Sequence, residues 1–306
     1  MLIRLLGTAA GGGFPQWNCA CRNCAGVRAG TLRAFPRTQS SVAVSAEGTR
    51  WFLLNASPDV RVQMDSFPPL GPPRGETRGS ALEGVLLSNA DLDHTLGLFV
   101  LREGPALPLY ASDPTRRALE DGLRLTSVLE CYGGVAWREP SAGFGPLLLR
   151  EGRPSGLSCS FIPILGKTPR YEGLPCRMAP DESVVMRIRD EKTGGELVYA
   201  PALATLDAAL LAQFREASVL LLDGTFFREE EMSLSGAGRL GAREMGHLPV
   251  GGEDGSLERI RRLPVPRKVY VHINNTNPML DEGSPEHAQV RAAGAQVGWD
   301  GMEMVV

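Results

Sequence analysis

The chain has 306 residues, of which 43% are hydrophobic and 22% are charged, and this composition is typical of one large folded domain or two small ones. Its formal net charge of −3 provides no broad basic field, so we expect no nucleic-acid partner. No apolar run reaches the roughly 18 residues of a membrane span. Residues 1–7 also lack a basic leader and a full signal core, so we expect a cytoplasmic protein with no membrane partner.

Apolar runs and helical patterns alternate along the chain and predict an α/β (α+β) protein. Strands are predicted at residues 1–7, 41–45, 51–54, 84–87, 107–110, 159–165, 184–188, 197–200, 219–222 and 269–271. Helices are predicted after Ser57, which would be the cap before Pro58, and at residues 112–123, 206–217, 229–232, 252–263 and 285–293. Residues 68–79 and 132–156 are rich in proline and glycine and predict loops. Strand-rich segments in both halves, each followed by helices, predict two sheets packed face to face with helices outside.

Three cysteines near the start of the chain, Cys19, Cys21 and Cys24, form the pattern Cys-x-Cys-x-x-Cys. Three thiolates within six residues can wrap one tetrahedral Zn²⁺, which then needs one more ligand. The alternatives are three ordinary buried cysteines or a redox pair. The polar, glycine-rich neighbourhood and the third thiol favour the metal. The other three cysteines are interpreted as core residues: Cys131, Cys159 and Cys176.

The loop after the apolar run at residues 84–87 contains three groups that can bind a metal, Asp91, Asp93 and His94. It lies between a predicted strand and an amphipathic stretch, at the carboxyl end of the strand, where open α/β folds place ligands. The alternative is a polar turn in which an aspartate caps the next helix. The adjacent Asp-His pair favours a divalent cation, because neutral imidazole beside carboxylates suits such an ion.

Two of the four histidines, His94 and His272, lie at or just beyond the ends of predicted strands. Asp223 also ends an apolar strand, and we interpret it as a metal ligand or as an acceptor that orients a histidine N–H. His247 lies in a loop at residues 245–249, where we predict an acid/base or substrate-contacting role; the alternative is a capping or exposed histidine. His287 lies within a predicted amphipathic helix and is expected at the surface.

Four segments of the chain resemble the family of coenzyme PQQ (pyrroloquinoline quinone) synthesis protein B, and together they span nearly the whole sequence. They are residues 7–19, 93–98, 245–249 and 272–278. Residues 89–94 also resemble the metallo-β-lactamase signature His-x-His-x-Asp-His, with Asn89 and Asp91 in place of its first two histidines. The resemblance implies one domain over residues 1–306 with the αββα four-layer sandwich of the metallo-β-lactamase fold.

The resemblance also bears on the active-site metal. In the wider superfamily, two zinc ions are bound by five histidines and bridged by an aspartate. This chain has no histidine in residues 161–170 and no aspartate at residues 200–201, where two of these ligands would fall. We therefore predict one metal held by His94, His272 and a carboxylate, with Asp93 as the first choice and Asp91 as the second. Two histidines and one carboxylate are the facial arrangement of non-haem iron(II) oxygenases, although such ligands also accept other divalent metals.

A similar cysteine cluster holds structural zinc in the related phosphonate-pathway phosphodiesterases, with a histidine three residues after the last active-site histidine. Asn275 stands at that position here. The fourth zinc ligand is therefore open between Asn275, His287, a distant cysteine and a backbone group.

The resemblance implies a function in PQQ biosynthesis. It indicates an Fe²⁺-dependent hydroxylase that adds oxygen from O₂ to the tyrosine of a Glu-Tyr unit cut from the precursor peptide. Another PQQ intermediate is the alternative substrate, and arginines are expected to pair with the substrate carboxylates. Two further hypotheses are a carrier that transports PQQ or its precursor to the periplasm and a metal-dependent hydrolase of phosphodiester or lactam type. A homodimer is also expected.

Overall fold

The structure is a computed structural model that describes residues 1–141, 143–173 and 176–306. Its strands are Leu2–Gly7 (β1), Ser41–Ser45 (β2), Trp51–Leu54 (β3), Leu82–Leu86 (β4), Leu107–Tyr110 (β5), Val135–Arg138 (β6), Gly145–Leu148 (β7), Pro154–Lys167 (β8), Met178–Asp190 (β9), Glu196–Ala200 (β10), Val219–Asp223 (β11), Arg267–Val271 (β12), Gln296–Val297 (β13) and Glu303–Val305 (β14). Its α-helices are Arg22–Ala29 (α1), Val60–Asp65 (α2), Leu92–Thr95 (α3), Gly97–Val100 (α4), Asp113–Arg117 (α5), Leu125–Leu129 (α6), Ala208–Gln213 (α7), Glu231–Leu234 (α8), Ser256–Ile260 (α9) and Pro285–Ala292 (α10). Short 3-10 turns lie at Pro68–Leu70, Leu101–Glu103, Arg170–Glu172 and Pro278–Leu280, and a π-helical turn at Ala118–Gly122 continues α5.

Backbone proximity divides the chain into two compact units. The first unit contains Met1–Leu6, Ser40–Glu196 and Gly301–Val306, and the second contains Gly7–Gln39 and Leu197–Asp300. The interpretation of residues 1–306 as one domain stays a prediction.

The first unit contains a mixed sheet in the order β14-β1-β2-β3-β4-β5-β6. The pairs β14/β1 and β2/β3 are antiparallel, whereas β3 to β6 run parallel. Leu53, Val85 and Leu109 from the central strands are fully buried and belong to one apolar cluster with residues of α2, α4, α6 and the π-helical turn. Strands β7, β8 and β9 of the same unit pair antiparallel.

The second unit is built around the parallel strands β10, β11, β12 and β13. Parallel neighbours need a crossover connection, and α7, α9 and α10 lie in the three crossovers between these strands. The strands are nearly continuous apolar runs, as expected when both faces of a sheet are covered, and every residue of β11 is buried. This arrangement brings the carboxyl ends of β11 and β12 side by side.

The predicted α/β architecture, with two mixed sheets flanked by helices, is confirmed. The cap prediction at Ser57 and Pro58 is wrong, because α2 begins at Val60 with Asp59 at the N-cap position. The Ser57 hydroxyl instead donates to the side-chain oxygen of Gln63, 3.0 Å away. The predicted helix at residues 252–263 is also shorter in the structure, where only Ser256–Ile260 is helical.

Two other segments differ from the sequence predictions. The stretch at residues 132–156, predicted as a loop, contains β6 and β7. All four residues of β6 are only half-buried, and β6 is the last strand of its sheet, so an edge position explains its weak apolar pattern. Helix α1, directly after the cysteine cluster, has too few apolar residues for a clear helical period. In the part of the chain that the structure describes, no helix is long and apolar enough to cross a membrane.

Candidate functional site

Helix α3 carries Asp93 and His94 and is held against the residues that follow β3. The Ala56 N–H donates to the His94 carbonyl oxygen at 2.8 Å, and the Gly97 N–H donates to the Ala56 carbonyl oxygen at 3.0 Å. A Cβ atom at Gly97 would lie 2.3 Å from the Ser57 carbonyl oxygen, so only glycine permits this approach. The position of His94 is therefore fixed by backbone contacts on both of its sides.

The side chain of Asn89 sets the protonation of His94. The Asp91 N–H donates to Asn89 Oδ1 at 3.2 Å, and Asn89 Nδ2 donates to the Asp91 carboxylate at 3.1 Å, which together orient the amide. Asn89 Oδ1 then lies 2.6 Å from His94 Nδ1. Because an amide oxygen only accepts, Nδ1 carries the proton, and in the neutral ring Nε2 then has the lone pair that can bind a metal. Asp93 Oδ2 lies 3.8 Å from this Nε2.

A pocket of about 460 Å³ lies beside Asp91 in the first unit. Lys167 and Arg170 line it, and the Tyr171 hydroxyl donates to the Ala90 carbonyl oxygen at 2.8 Å, which ties this wall to the Asp91 loop. Among residues 1–141, 143–173 and 176–306, neither Lys167 nor Arg170 has an ion-pair partner. The pocket therefore presents two cations, Lys167 and Arg170, and one carboxylate, Asp91.

In the second unit, Asp223 and His272 lie at neighbouring strand ends. Asp223 is the last residue of β11 and is in register with Val271, the last residue of β12. His272 follows at once with a φ of 54°, a left-handed conformation that turns the chain out of the strand. The parallel register is thus what brings the two side chains together.

Asp223 is buried and accepts four hydrogen bonds. Oδ2 accepts from the Leu203 N–H at 2.9 Å and lies 2.7 Å from His247 Nδ1. Oδ1 accepts from the N–H of Thr225 at 2.9 Å and from its hydroxyl at 2.6 Å. A carboxylate offers about four lone-pair positions, so these bonds occupy it. In this arrangement Asp223 acts as the acceptor that orients a histidine, which is one of the two roles predicted from the sequence.

The pKa of Asp223 reflects this network. Burial alone would raise the pKa of the carboxyl group, but the His247 ring and the hydrogen bonds to the carboxylate lower it below its ordinary value. Asp223 is therefore a carboxylate, and a carboxylate can only accept from the ring of His247.

Both histidines of the second unit are consequently held with the proton on Nδ1. His247 Nδ1 donates to Asp223 Oδ2. Thr225 gives its single hydroxyl proton to the charged Asp223, the shortest of its contacts, so its oxygen accepts from His272 Nδ1 at 2.8 Å. The two rings stack with centroids 5.5 Å apart. In the neutral form of each ring the lone pair then lies at Nε2, where it can bind a metal or accept a proton.

The three predicted zinc thiolates lie together in the second unit. The sulfur atoms of Cys19, Cys21 and Cys24 are all within 4.8 Å of one another. Asn275 Nδ2 lies 3.1 Å, 3.6 Å and 3.3 Å from these three sulfurs, respectively. Burial raises the pKa of the Cys24 thiol to about 11. The cluster is thus a group of three sulfurs capped by one amide.

The amide end of Asn275 lies where a fourth ligand would stand. In a tetrahedral site with ordinary Zn–S and Zn–O bonds, the oxygen ligand is roughly 3.6 Å from each sulfur. The nitrogen and oxygen of a side-chain amide have nearly the same shape. A 180° rotation of the Asn275 amide therefore places its oxygen, instead of its nitrogen, at this position. The residues present therefore fit Zn²⁺ with Asn275 Oδ1 as the fourth donor. The backbone carbonyl oxygen of Asn275, which lies 3.8 Å from Cys21 Sγ, is the alternative fourth donor.

Two asparagines that the sequence interpretation missed support the cluster. Asn23 Nδ2, on α1, donates to the carbonyl oxygens of Asn275 and Asn277 at 3.1 Å and 2.9 Å. Asn277 Nδ2 donates to the Gly224 carbonyl oxygen at 2.8 Å. These bonds connect the cysteine helix to the segment that begins at His272. The only signal in the sequence was the density of amide residues at residues 274–277.

The predicted site residues thus fall into three groups, each within one unit. Asp91, Asp93 and His94 lie together in the first unit, with Asn89 and Ser88 as residues that the sequence interpretation did not assign an orienting role. The second unit holds the other two groups: Asp223, His247 and His272, joined by Thr225, and Cys19, Cys21, Cys24 and Asn275. His287 is half-buried on α10, and its Nδ1 lies 2.9 Å from the Met279 carbonyl oxygen.

Comparison with known proteins identifies the fold of the chain. The family described as "Beta-lactamase superfamily domain" matches residues 50–273. A structure described as a new diphosphatase from the PhnP family superimposes with a TM-score of 0.67 at 18% identity, covering 100% of this chain and 97% of that one, which supports the fold. The chain therefore has the metallo-β-lactamase fold and belongs to the β-lactamase superfamily.

Nearer relatives define the family. Coenzyme PQQ synthesis protein B of Ectopseudomonas mendocina is 44% identical over 307 residues, with complete coverage of both chains, and that of Pseudomonas aeruginosa strain LESB58 is 43% identical with 99% coverage of both. The crystal structure of Zn²⁺-bound PqqB from Methylobacterium extorquens superimposes over both full chains with a TM-score of 0.91 at 38% identity. This chain belongs to the coenzyme PQQ synthesis protein B family.

Proposed function

We propose that the protein acts in PQQ biosynthesis as a mononuclear iron(II) hydroxylase on the tyrosine of a Glu-Tyr dipeptide. The family name and the full-length similarity support the pathway. The observation that carries the single-metal proposal is the contact between Asn89 Oδ1 and His94 Nδ1. Asn89 stands where the superfamily signature has a metal-binding histidine, but here its amide oxygen orients His94 instead of binding a metal.

Asp93, His94 and His272 are the proposed ligands of this metal. Each histidine holds its proton at Nδ1, through Asn89 in one case and Thr225 in the other, so both offer Nε2 in the metal-binding form. An Fe²⁺ ion held by two histidines and one carboxylate would supply the activation of O₂ and leave open positions for substrate. Asp91 stays the second choice for the carboxylate.

His247 is proposed as the acid/base residue and Asp223 as its positioning residue. The neutral ring can accept the phenol proton of the substrate at Nε2. The Asp223 carboxylate, 2.7 Å from Nδ1, would then stabilise the imidazolium that forms. The stacked geometry of His247 and His272 keeps this nitrogen near a proposed metal ligand.

Lys167 and Arg170 are proposed to bind the carboxylates of the dipeptide. A Glu-Tyr substrate carries two carboxylates at neutral pH, and the pocket beside Asp91 presents two cations without ion-pair partners in the described residues. Arginine pairs well with carboxylate through two parallel hydrogen bonds. Lys167 and Arg170 are therefore our candidates for the substrate-binding cations. The sequence alone did not identify which cations these are.

The test is reconstitution with Fe²⁺ under anaerobic conditions, followed by Glu-Tyr, O₂ and a two-electron reductant such as ascorbate, which reduces the second oxygen atom to water, with mass spectrometry of the dipeptide. A gain of one oxygen per turnover that is lost in His94→Ala supports the proposal. No mass change with one iron bound per chain would favour a carrier of PQQ or its precursor, while hydrolysis of a phosphodiester that depends on His94 would favour a hydrolase. The cytoplasmic location and the homodimer stay predictions.

A further inference from the structure

A second pocket lies in the second unit and shares no lining residue with the proposed catalytic groups. It has a volume of about 620 Å³ and is bordered by the segment before β2 and by α10 with the residues around β13. Three of its lining residues are arginines, Arg33, Arg37 and Arg291, and two are acidic, Glu282 and Asp300. Nothing in the proposed hydroxylation uses this pocket.

Arg37 is the least exposed of these arginines. Its Nη1 donates to Thr8 Oγ1 at 3.1 Å and to the Gly298 carbonyl oxygen, so both acceptors are neutral. Its Nε is enclosed and has no hydrogen-bond partner among the described residues. Burial lowers the pKa of the Arg37 guanidinium to about 10, against the opposing effect of the Asp300 carboxylate. A guanidinium held in this way is stabilised by any anion that enters beside it.

The two acidic residues of the pocket compensate Arg37 only in part, because the charges of Asp300 and Glu282 raise its pKa less than burial lowers it. The Asp300 carboxylate accepts from the Thr8 hydroxyl at 2.7 Å and from the N–H and hydroxyl of Thr38 at 2.6 Å and 2.9 Å, which uses most of its lone pairs. Glu282 is paired instead with the exposed Arg33, at 3.8 Å. Among the described residues, Arg37 and Arg291 therefore form no ion pair.

Two large aromatic side chains line the same pocket and are open to solvent. Phe35 is 66% exposed and Trp299 is 49% exposed. Aromatic faces beside arginines are a combination that binds flat rings carrying negative charge, since the ring stacks while the guanidinium pairs with the charge. A purely apolar ligand would leave the arginines unpaired, and a small inorganic anion would leave the aromatic faces exposed.

We propose that this pocket binds a planar aromatic carboxylate. The carboxylate pairs with Arg37 and Arg291, and the ring packs against Trp299. The proposal does not depend on the identity of the active-site metal or on the hydroxylase reaction. It assigns the second unit a small-molecule site in addition to its histidine network.

Calorimetric titration with naphthalene-2-carboxylate, using 2-naphthylmethanol as the neutral analogue, tests the proposal on the purified holoprotein. We expect sub-millimolar binding of the carboxylate and at least about tenfold weaker binding of the alcohol. Arg291→Gln and Trp299→Ala should each weaken carboxylate binding by about tenfold, and both residues are exposed enough to be replaced without loss of folding. Arg37→Gln should have a larger effect, and Arg239→Gln, at an exposed arginine outside the pocket, is the matched control.

Three outcomes would overturn the proposal. The first is no binding of the carboxylate at millimolar concentration. The second is equal affinity for the carboxylate and the alcohol. The third is binding that survives Arg291→Gln and Trp299→Ala but disappears in His94→Ala, which would mean that the probe binds the active-site metal instead.

Discussion

The two regions that supply the proposed metal ligands are held in different ways. In the first unit, the contacts that orient His94 come from Ser88, Asn89 and Asp91, all within six residues of it. In the second unit, His272 and His247 are oriented by Thr225 and Asp223, which are 22 to 47 residues away in the sequence. One site is local to a loop, whereas the other depends on the register of two parallel strands.

This difference gives the two regions different sensitivities. A local loop keeps its geometry through a few short-range bonds, so one substitution there should remove one orienting contact. The second region shares a single buried carboxylate between two histidines, so loss of that carboxylate should affect both rings together. The predictions below test this contrast.

The largest effect is expected for Asp223→Asn, a substitution that preserves shape and removes the charge. The amide has only one acceptor oxygen, so either His247 Nδ1 or the Thr225 hydroxyl loses its acceptor, and the tautomer of at least one histidine is no longer fixed. We expect kcat to fall by about 100-fold, with altered metal affinity. Steady-state kinetics and metal analysis of the same samples would measure both. Near wild-type values for both would contradict the shared-carboxylate account.

Loss of the zinc ion proposed at the cysteine cluster should have the next largest effect, on stability. Cys24→Ser replaces a buried thiol of this cluster, so we expect loss of one zinc ion per chain and a lower thermal midpoint, because metal binding contributes directly to folding. Cys131→Ser is the matched control, because Cys131 is exposed and its interpretation as a core residue is wrong. The zinc content and thermal midpoint of Asn275→Ala should lie between those of Cys24→Ser and Cys131→Ser if the Asn275 side chain is the fourth ligand. Unchanged zinc content in Cys24→Ser would rule out this site.

A smaller effect is expected for Asn89→Ala in the first unit. It removes the acceptor 2.6 Å from His94 Nδ1 but leaves the Ser88 hydroxyl at 3.2 Å. We expect about tenfold weaker binding of the active-site metal, measured by competition with a chelator. Ser88→Ala is the matched control and should weaken metal binding less than Asn89→Ala does, since Asn89 remains. The reverse order of the two variants would show that the hydroxyl, not the amide, fixes the ring.

Some features of the fold and the site could be predicted from the sequence, and others could not. The strand ends, the cysteine cluster and the Asp-His pair were visible as patterns, because they depend on residues that are close in the chain. Thr225 and Asn23 were not visible, since their roles arise when β11 meets β12 and when α1 meets residues 275–277. Long-range pairing of polar side chains leaves no periodic signal. For the same reason, the arginines and aromatic residues of the second pocket could not be grouped from sequence.

The smallest effect concerns the pH dependence of stability in the second unit. Burial raises the pKa of Glu231 to about 7 from an ordinary value of 4.5, despite hydrogen bonds from Thr276 and the Phe227 N–H and the nearby Arg228 charge. Between these pH values the folded protein binds more protons than the unfolded chain, so the free energy of unfolding falls as pH rises through this window.

Glu231→Gln should remove this component, so its thermal midpoint should decline less than that of the wild type between pH 5 and about 7.5, by on the order of a few °C. Glu230→Gln, at an exposed neighbour, is the control and should follow the wild type. Parallel pH profiles for all three proteins would mean that Glu231 is ionised in the folded protein.

The most direct test of the account is a count of metal ions per chain after anaerobic loading with Zn²⁺ and Fe²⁺. The account predicts one zinc that depends on Cys24 and one further ion that depends on His94, because Asn89 orients that histidine instead of binding a second metal. His94→Ala should lose only the second ion. Two ions lost together in His94→Ala, beyond the cysteine-bound zinc, would show a dinuclear centre and contradict the proposed iron hydroxylase.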